Sequence, residues 1–349
     1  MALSMVSSMA SNAILAKARA MYGKSLSETD YKQLMDCRNV SEVAAYLKTR
    51  TNYKDALTGL NENEVHRGQL EPILRQTIYY DIFALSRYAM DKSLTFTDFI
   101  ISQTEIDQII RCLTLVNIGK PEEYIYTMPS KLAKMTKIDI GKFVQVRSYD
   151  DMISALAGTK YAPAIRKFRP KDGERINIAL LEAELNNHNF ATVIEAIRTT
   201  RSGKDRDDLL NMITAMLDFR NISRIIRLKK YYHYDKERII PLLIPYGRLS
   251  EKTRDEICEA SSVNEVFDMA NSTYLGKQIS RLQYNDVSQL ANALLSMYCK
   301  HHLRLSPNPT IVMISYYYLK EIELANIVNI IEATRYGLSS DEKEKMLVR

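Results

Sequence analysis

The chain has 349 residues, 46% hydrophobic and 26% charged, which fits a folded protein and excludes wholesale disorder. Its net charge of +6, from 48 basic and 42 acidic residues, permits an anionic surface or acidic partner and demands neither. Only 11 glycines and 9 prolines occur, against a usual combined share of about 12%, so elements are long and helical, and the glycine-rich phosphate loops of Rossmann and P-loop enzymes are disfavoured.

In chain order, Met1 to Ala16 is small and apolar, interrupted by Ser4, Ser7, Ser8, Ser11 and Asn12. Its first charge is Lys17. A secretory leader carries charge before its apolar core, so the segment reads as the opening of a helix. Breaks fall at Thr58 to Asn63, Pro121 to Pro129, Pro170 to Glu174, Thr199 to Asp205, Pro241 to Gly247 and Ser306 to Pro309. Between them apolar residues recur at helical spacing, as in Leu210, Ile213, Met216 and Leu217, and in Val287, Leu290, Leu294 and Met297. The longest apolar run, Ile239 to Pro245, contains two prolines, and no run is long enough to span a bilayer.

One segment recurs three times. The first copy runs from Val40 to Leu47 and ends in Thr51-Asn-Tyr53; the second runs from Tyr149 to Leu156 and ends in Thr159-Lys-Tyr161; the third runs from Val263 to Ala270 and ends in Ser272-Thr-Tyr274. Each carries an acid two residues after its start: Glu42, Asp151 and Glu265. That pattern predicts an acidic first turn on a helix N-terminus, an apolar face, and an exit anchored by Tyr53, Tyr161 or Tyr274. A second motif follows with the same period. Asp218 to Tyr231 matches Glu323 to Tyr336, pairing Asn221 with Asn326 and Tyr231 with Tyr336, and Glu105 to Arg111 is a weaker copy. Leu26 and Leu249 each lie 14 residues before the first motif of their unit. The chain therefore divides into helical units at 1–128, 129–245 and 246–349. This period exceeds the ~20–50 residues of solenoid repeats and suggests three bundles in a pseudo-threefold body.

Candidate chemistry is weak. Gly203-Lys204 lacks the glycine and hydroxyl of a P-loop and reads as a solvated basic turn. Cys299, His301 and His302 offer too few ligands for zinc, with His66, His188 and His233 standing alone. Cys37, Cys112, Cys258 and Cys299 form no CxxC pair and read as reduced and buried. The pairs Glu182 with Glu184 and Glu321 with Glu323 read as exposed helix faces. Arg224 to Arg238 mixes bases with Tyr231, Tyr232 and Tyr234. Because Tyr231 matches Tyr336, packing is the favoured reading there, ahead of an acidic protein or lipid surface and then nucleic acid. Tyr316, Tyr317 and Tyr318 suit a half-buried helix, ahead of an interface between bundles or between subunits. No catalytic, cofactor-binding or metal site is expected.

The opening Ala16 to Lys24, the Thr51-Asn-Tyr53 ending, the Asn221-Ile222 segment and Lys320 to Ile327 together resemble the C subunit of prokaryotic V-type/A-type ATPases, the counterpart of the d subunit of eukaryotic V-ATPases. The resemblance spans nearly the whole chain. It implies an all-α, funnel-like body of three helical bundles and a non-catalytic central-stalk role. Such a subunit couples the D/F rotor shaft to the membrane proteolipid ring, for ATP-driven transport of H+ or Na+ or for ATP synthesis. The implied partners are the D and F stalk subunits, the proteolipid ring and other ATPase subunits, with no nucleic acid and no transmembrane segment of its own. The implied location is peripheral, on the cytoplasmic face of the membrane. A stand-alone helical-repeat scaffold for protein binding is the alternative.

Overall fold

The computed structural model describes residues 2–61, 67–88, 96–124, 133–171, 173–282 and 289–348, side chains of residues 2–8, 67 and 68 excepted. Among these, every regular element is helical. The helices are α1 Ala2–Tyr22, α2 Glu28–Asp36, α3 Val40–Arg50, α4 Arg67–Ser86, α5 Phe96–Asn117, α6 Tyr149–Ala155, α7 Ala162–Lys167 and α8 Ile178–Thr200. Then come α9 Gly203–Tyr232, α10 Lys236–Ile239, α11 Glu251–Glu259, α12 Val263–Asn271, α13 Gly276–Ile279, α14 Leu290–Leu305, α15 Pro309–Arg335 and α16 Ser340–Lys345. The small apolar N-terminus opens α1, as its composition predicts. Val287, Pro129 and His66 lie outside the described residues.

The chain forms two compact units, residues 1–91 with 268–349 and residues 92–267. In the first, α15 is the central helix and packs against α14, α4 and α1. Asn308 caps it by accepting from the Thr310 and Ile311 N–H groups, Pro309 fits its first turn, and Gly337 at φ +71° follows its end. Ile311 to Lys320 is buried without a break, so this helix is covered on all sides. Tyr316, Tyr317 and Tyr318 are all buried, more deeply than the half-buried face their sequence suggested. In the second unit α5 packs against α8, and α8 against α9.

The three short helices that open the recurring motif share one N-terminal lock. In α3, Asn39 accepts from the Glu42 N–H, and Glu42 reaches back to the Arg38 N–H at 2.8 Å. In α6, Ser148 accepts from the Asp151 N–H, while the Asp151 carboxylate takes the Arg147 and Ser148 N–H groups at 3.0 and 2.9 Å. In α12, Ser262 accepts from the Glu265 N–H, and Glu265 takes the Ser261 N–H at 2.6 Å. Each cap side chain satisfies a donor of the first turn, and each acid takes a backbone N–H just ahead of the helix. Hydrogen bonds from Arg147 and Ser148 hold the Asp151 carboxyl below its usual value, and bonds from Ser261 do the same for Glu265.

A carboxyl depressed in the folded state stabilises above its unfolded value and loses that contribution as pH falls through the folded one. D151N and E265Q are therefore expected to lower the Tm at pH 7. Their gap to the wild type should close as the pH falls below about 4, the ordinary carboxylate range. Thermal unfolding across pH 3–7 measures it; a pH-independent gap would count against the locks.

Candidate functional site

Three long helices, α5, α9 and α15, each carry an acid followed three residues later by an amide: Glu105 and Gln108, Asp218 and Asn221, Glu323 and Asn326. That spacing puts both groups on one helix face. All six side chains are buried.

On α15 the Glu323 carboxylate accepts from the Leu26 N–H at 2.9 Å, from the Tyr53 O–H at 2.7 Å and from the Lys320 ammonium. Lys320 also contacts the Tyr53 hydroxyl at 3.2 Å. On α5 the Glu105 carboxylate accepts from the Lys137 N–H and the Tyr161 O–H, both at 2.7 Å, with the Lys160 ammonium 4.0 Å away. On α9 the Asp218 carboxylate accepts from the Arg248 and Leu249 N–H groups at 2.8 and 2.9 Å. A Cβ on Gly247 would collide with that carboxylate, which is why glycine stands there. Leu26 and Leu249, matched by their spacing in the sequence, thus both donate their backbone N–H to a buried carboxylate. Burial and the neighbouring carboxylates push the Tyr53 and Tyr161 phenols well above their usual value, so both rings stay protonated donors.

The amides act as chain clamps. Asn221 donates to the Ile244 carbonyl at 2.8 Å and accepts from the Ile244 N–H at 3.0 Å. Asn326 does the same to Val348, at 2.7 and 2.9 Å. Gln108 instead accepts from the Tyr124 hydroxyl at 2.7 Å. Both clamps hold segments with no ladder partner, where buried backbone groups need a side chain. The Ile239 to Pro245 run lies under one of them, and Arg224 adds a bond to the Leu242 carbonyl.

The tyrosine turns obey one geometry, with one register change. Thr51 donates to the Leu47 carbonyl and accepts from the Tyr53 N–H; Thr159 does so with Leu156 and Tyr161. In the third copy Thr273 donates to the Ala270 carbonyl and accepts from the Leu275 N–H. Leu275, fully buried, therefore stands where Tyr53 and Tyr161 stand, and Tyr274 is half-buried one residue earlier.

Two expectations are corrected. Tyr231 and Tyr336 are not packed: they are 51% and 72% exposed. They lie at the ends of α9 and α15, past the buried stretches, with the Lys230 and Arg335 cations 4.9 and 5.9 Å from their ring centres. Ile118, at the matching place after α5, is 60% exposed, so repetition at this register marks surface. Second, Glu323 is not on an exposed face, and Glu321 is only partly accessible, 3.0 Å from Arg75. Burial raises the Glu321 carboxyl, opposed by Arg75. The sequence reading missed Lys320, Lys160 and the 2.5 Å bond from the Tyr316 hydroxyl to Asp81. The Lys320-x-x-Glu323 spacing was visible; its burial was not.

Gly203, at φ +55°, opens α9 beside an exposed Lys204. All four cysteines are buried and free; burial pushes Cys37, Cys112 and Cys258 up to about 11 and Cys299 higher. Among the described residues no three His, Cys, Asp or Glu side chains are grouped to hold a metal.

These contacts rank a mutation series. Y53F should cost about 1–3 kcal/mol, the loss of a buried donor to a charged group. E323Q, which leaves the Lys320 charge without its anion, should cost about 3–5 kcal/mol. N326A should cost roughly 2 kcal/mol or more through two unpaired backbone groups. Y231A and Y336A should stay within about 0.5 kcal/mol of the wild type. Urea unfolding tests the order; a large loss in the last two would restore a packing role.

Comparison with known proteins agrees over almost the full length. The ATP synthase (C/AC39) subunit family matches residues 14–346. The chain is 25% identical to the C subunit of the A-type ATP synthase of Methanosarcina mazei, across 95% of this chain and 91% of that one. It is 24% identical to that of Methanosphaera stadtmanae, across 95% and 86%, and 19% identical to that of Pyrococcus furiosus, across 90% and 84%. A match from residue 14 to residue 346 leaves almost nothing of the chain outside the pattern, and the chain belongs to the ATP synthase (C/AC39) subunit family.

Proposed function

We propose that this chain is the non-catalytic central-stalk subunit of a rotary V/A-type ATPase. In this reading it couples the D/F rotor shaft to the membrane proteolipid ring on the cytoplasmic face, for ion transport or ATP synthesis. Its similarity to the C subunits of A-type ATP synthases supports membership of such a complex. No helix of the described residues is long and apolar enough to cross a membrane, in keeping with a part that meets the membrane through others.

One observation carries the mechanical part. Leu26 and Tyr53, from the first repeat, are tied to Glu323 on the long helix of the last. Likewise Tyr161 of the second repeat is tied to Glu105 of the first, and Leu249 of the third to Asp218 of the second. Each repeat start grips the long helix of the repeat before it, and the first grips the last. A cyclic order of contacts is what three units at 1–128, 129–245 and 246–349 would need to close into a pseudo-threefold, funnel-like body around a shaft. Ties made of buried charge-assisted hydrogen bonds are short and directional, which suits a part that passes torque without soft joints.

Affinity purification of the tagged chain from detergent-solubilised membranes tests the reading. ATPase head, D/F and proteolipid subunits should co-purify in fixed ratio. Their absence, with the chain recovered alone or on unrelated proteins, would favour a stand-alone scaffold instead.

A further inference from the structure

An open cleft of about 610 Å³ runs along the C-terminal half of α14. Arg281, Lys300, His301 and Arg304 line it, and among the described residues no acidic side chain does. Its apolar floor includes Met297 and Leu305, and Leu305 is 69% exposed. Met297, Lys300 and Arg304 follow each other at steps of 3 and 4, so they form one stripe over about two turns of helix. Arg281 brings its charge from a different segment.

Bases in the last turn of a helix often answer its dipole. Here that task is already filled: the Arg19 guanidinium donates to the Leu303 and Ser306 carbonyls at 2.9 and 2.8 Å. Lys300 is crowded instead. Burial and the adjacent Arg304 push its ammonium below the usual value, and Glu28 is the acid whose charge reaches it. A cluster of like charges over exposed apolar surface is costly alone and is relieved by an anion with an apolar side.

We propose that this cleft docks an acidic amphipathic helix of a partner protein, its apolar face on Met297 and Leu305 and its carboxylates against Lys300, Arg304 and Arg281. The helical spacing of the stripe fits a helix laid along it. A simple phosphate would use the charges and leave the apolar floor in water. The docking does not depend on the rotary role.

The probe is a fluorescein-labelled 18-residue helical peptide with leucines on one face and glutamates on the other, titrated with the full chain by anisotropy. A peptide with lysines in place of the glutamates is the control. The acidic peptide should bind, the lysine peptide should not, and added salt should weaken binding. The K300E/R304E double variant and, separately, R281E should each lose at least tenfold in affinity with an unchanged Tm. R281E keeps the test decisive should the double variant fold poorly. Equal affinity of wild type and R281E, or no binding by the wild type, overturns the proposal. Binding of phosphatidylglycerol vesicles without binding of the peptide also overturns it and assigns the cleft to lipid.

Discussion

A carboxylate on a buried helix face must be given donors or it will not stay charged. Glu323, Glu105 and Asp218 meet that demand with main-chain N–H groups from segments far away in sequence. The position of those segments is therefore fixed by electrostatics, not by apolar contact alone, which is adaptable and non-directional. Around Glu323 the donors are Leu26, Tyr53 and Lys320, so the carboxylate accepts along several directions at once. Moving any one partner strands charge in a place that water does not reach.

The three ties solve the same problem with different residues. Two use a long acid, a tyrosine hydroxyl and a nearby lysine; one uses a shorter acid and two adjacent backbone donors. Where Asp218 comes close to the chain, Gly247 removes the Cβ that would block it. In the third copy the buried position of the turn is held by Leu275, which has no hydroxyl to offer. The chemistry of a site of this kind lies in what it holds together. Its cost in buried charge is offset by geometry, and the return is a unique register between distant segments.

Much of this could be read before any coordinates. Low glycine and proline content pointed to long helices, and the acid two residues into each short motif pointed to a helix start. The paired leucines at 26 and 249 marked the very N–H groups that reach the acids. Other features were hidden for physical reasons. Ser272, Thr273 and Tyr274 satisfy the pattern of a hydroxyl before a tyrosine, so only the hydrogen bond from the Leu275 N–H reveals the true register. Acids are exposed by default, and nothing local in Glu321 and Glu323 announces burial. Tyr231 and Tyr336 match because they share a place at a helix end, and a shared place says nothing of depth. The cleft beside α14 also escaped, because Arg281 joins Lys300 and Arg304 only in three dimensions.

Backbone donors from distant segments are locked onto buried carboxylates. Native-state hydrogen exchange of the Leu26, Lys137, Arg248 and Leu249 amides tests it most directly. These amides lie in turns and connections, where exchange is ordinarily fast. All four should exchange only through large openings, with protection close to that of the α5, α9 and α15 core. Rapid exchange at these four amides, in a protein whose long helices remain protected, would contradict it.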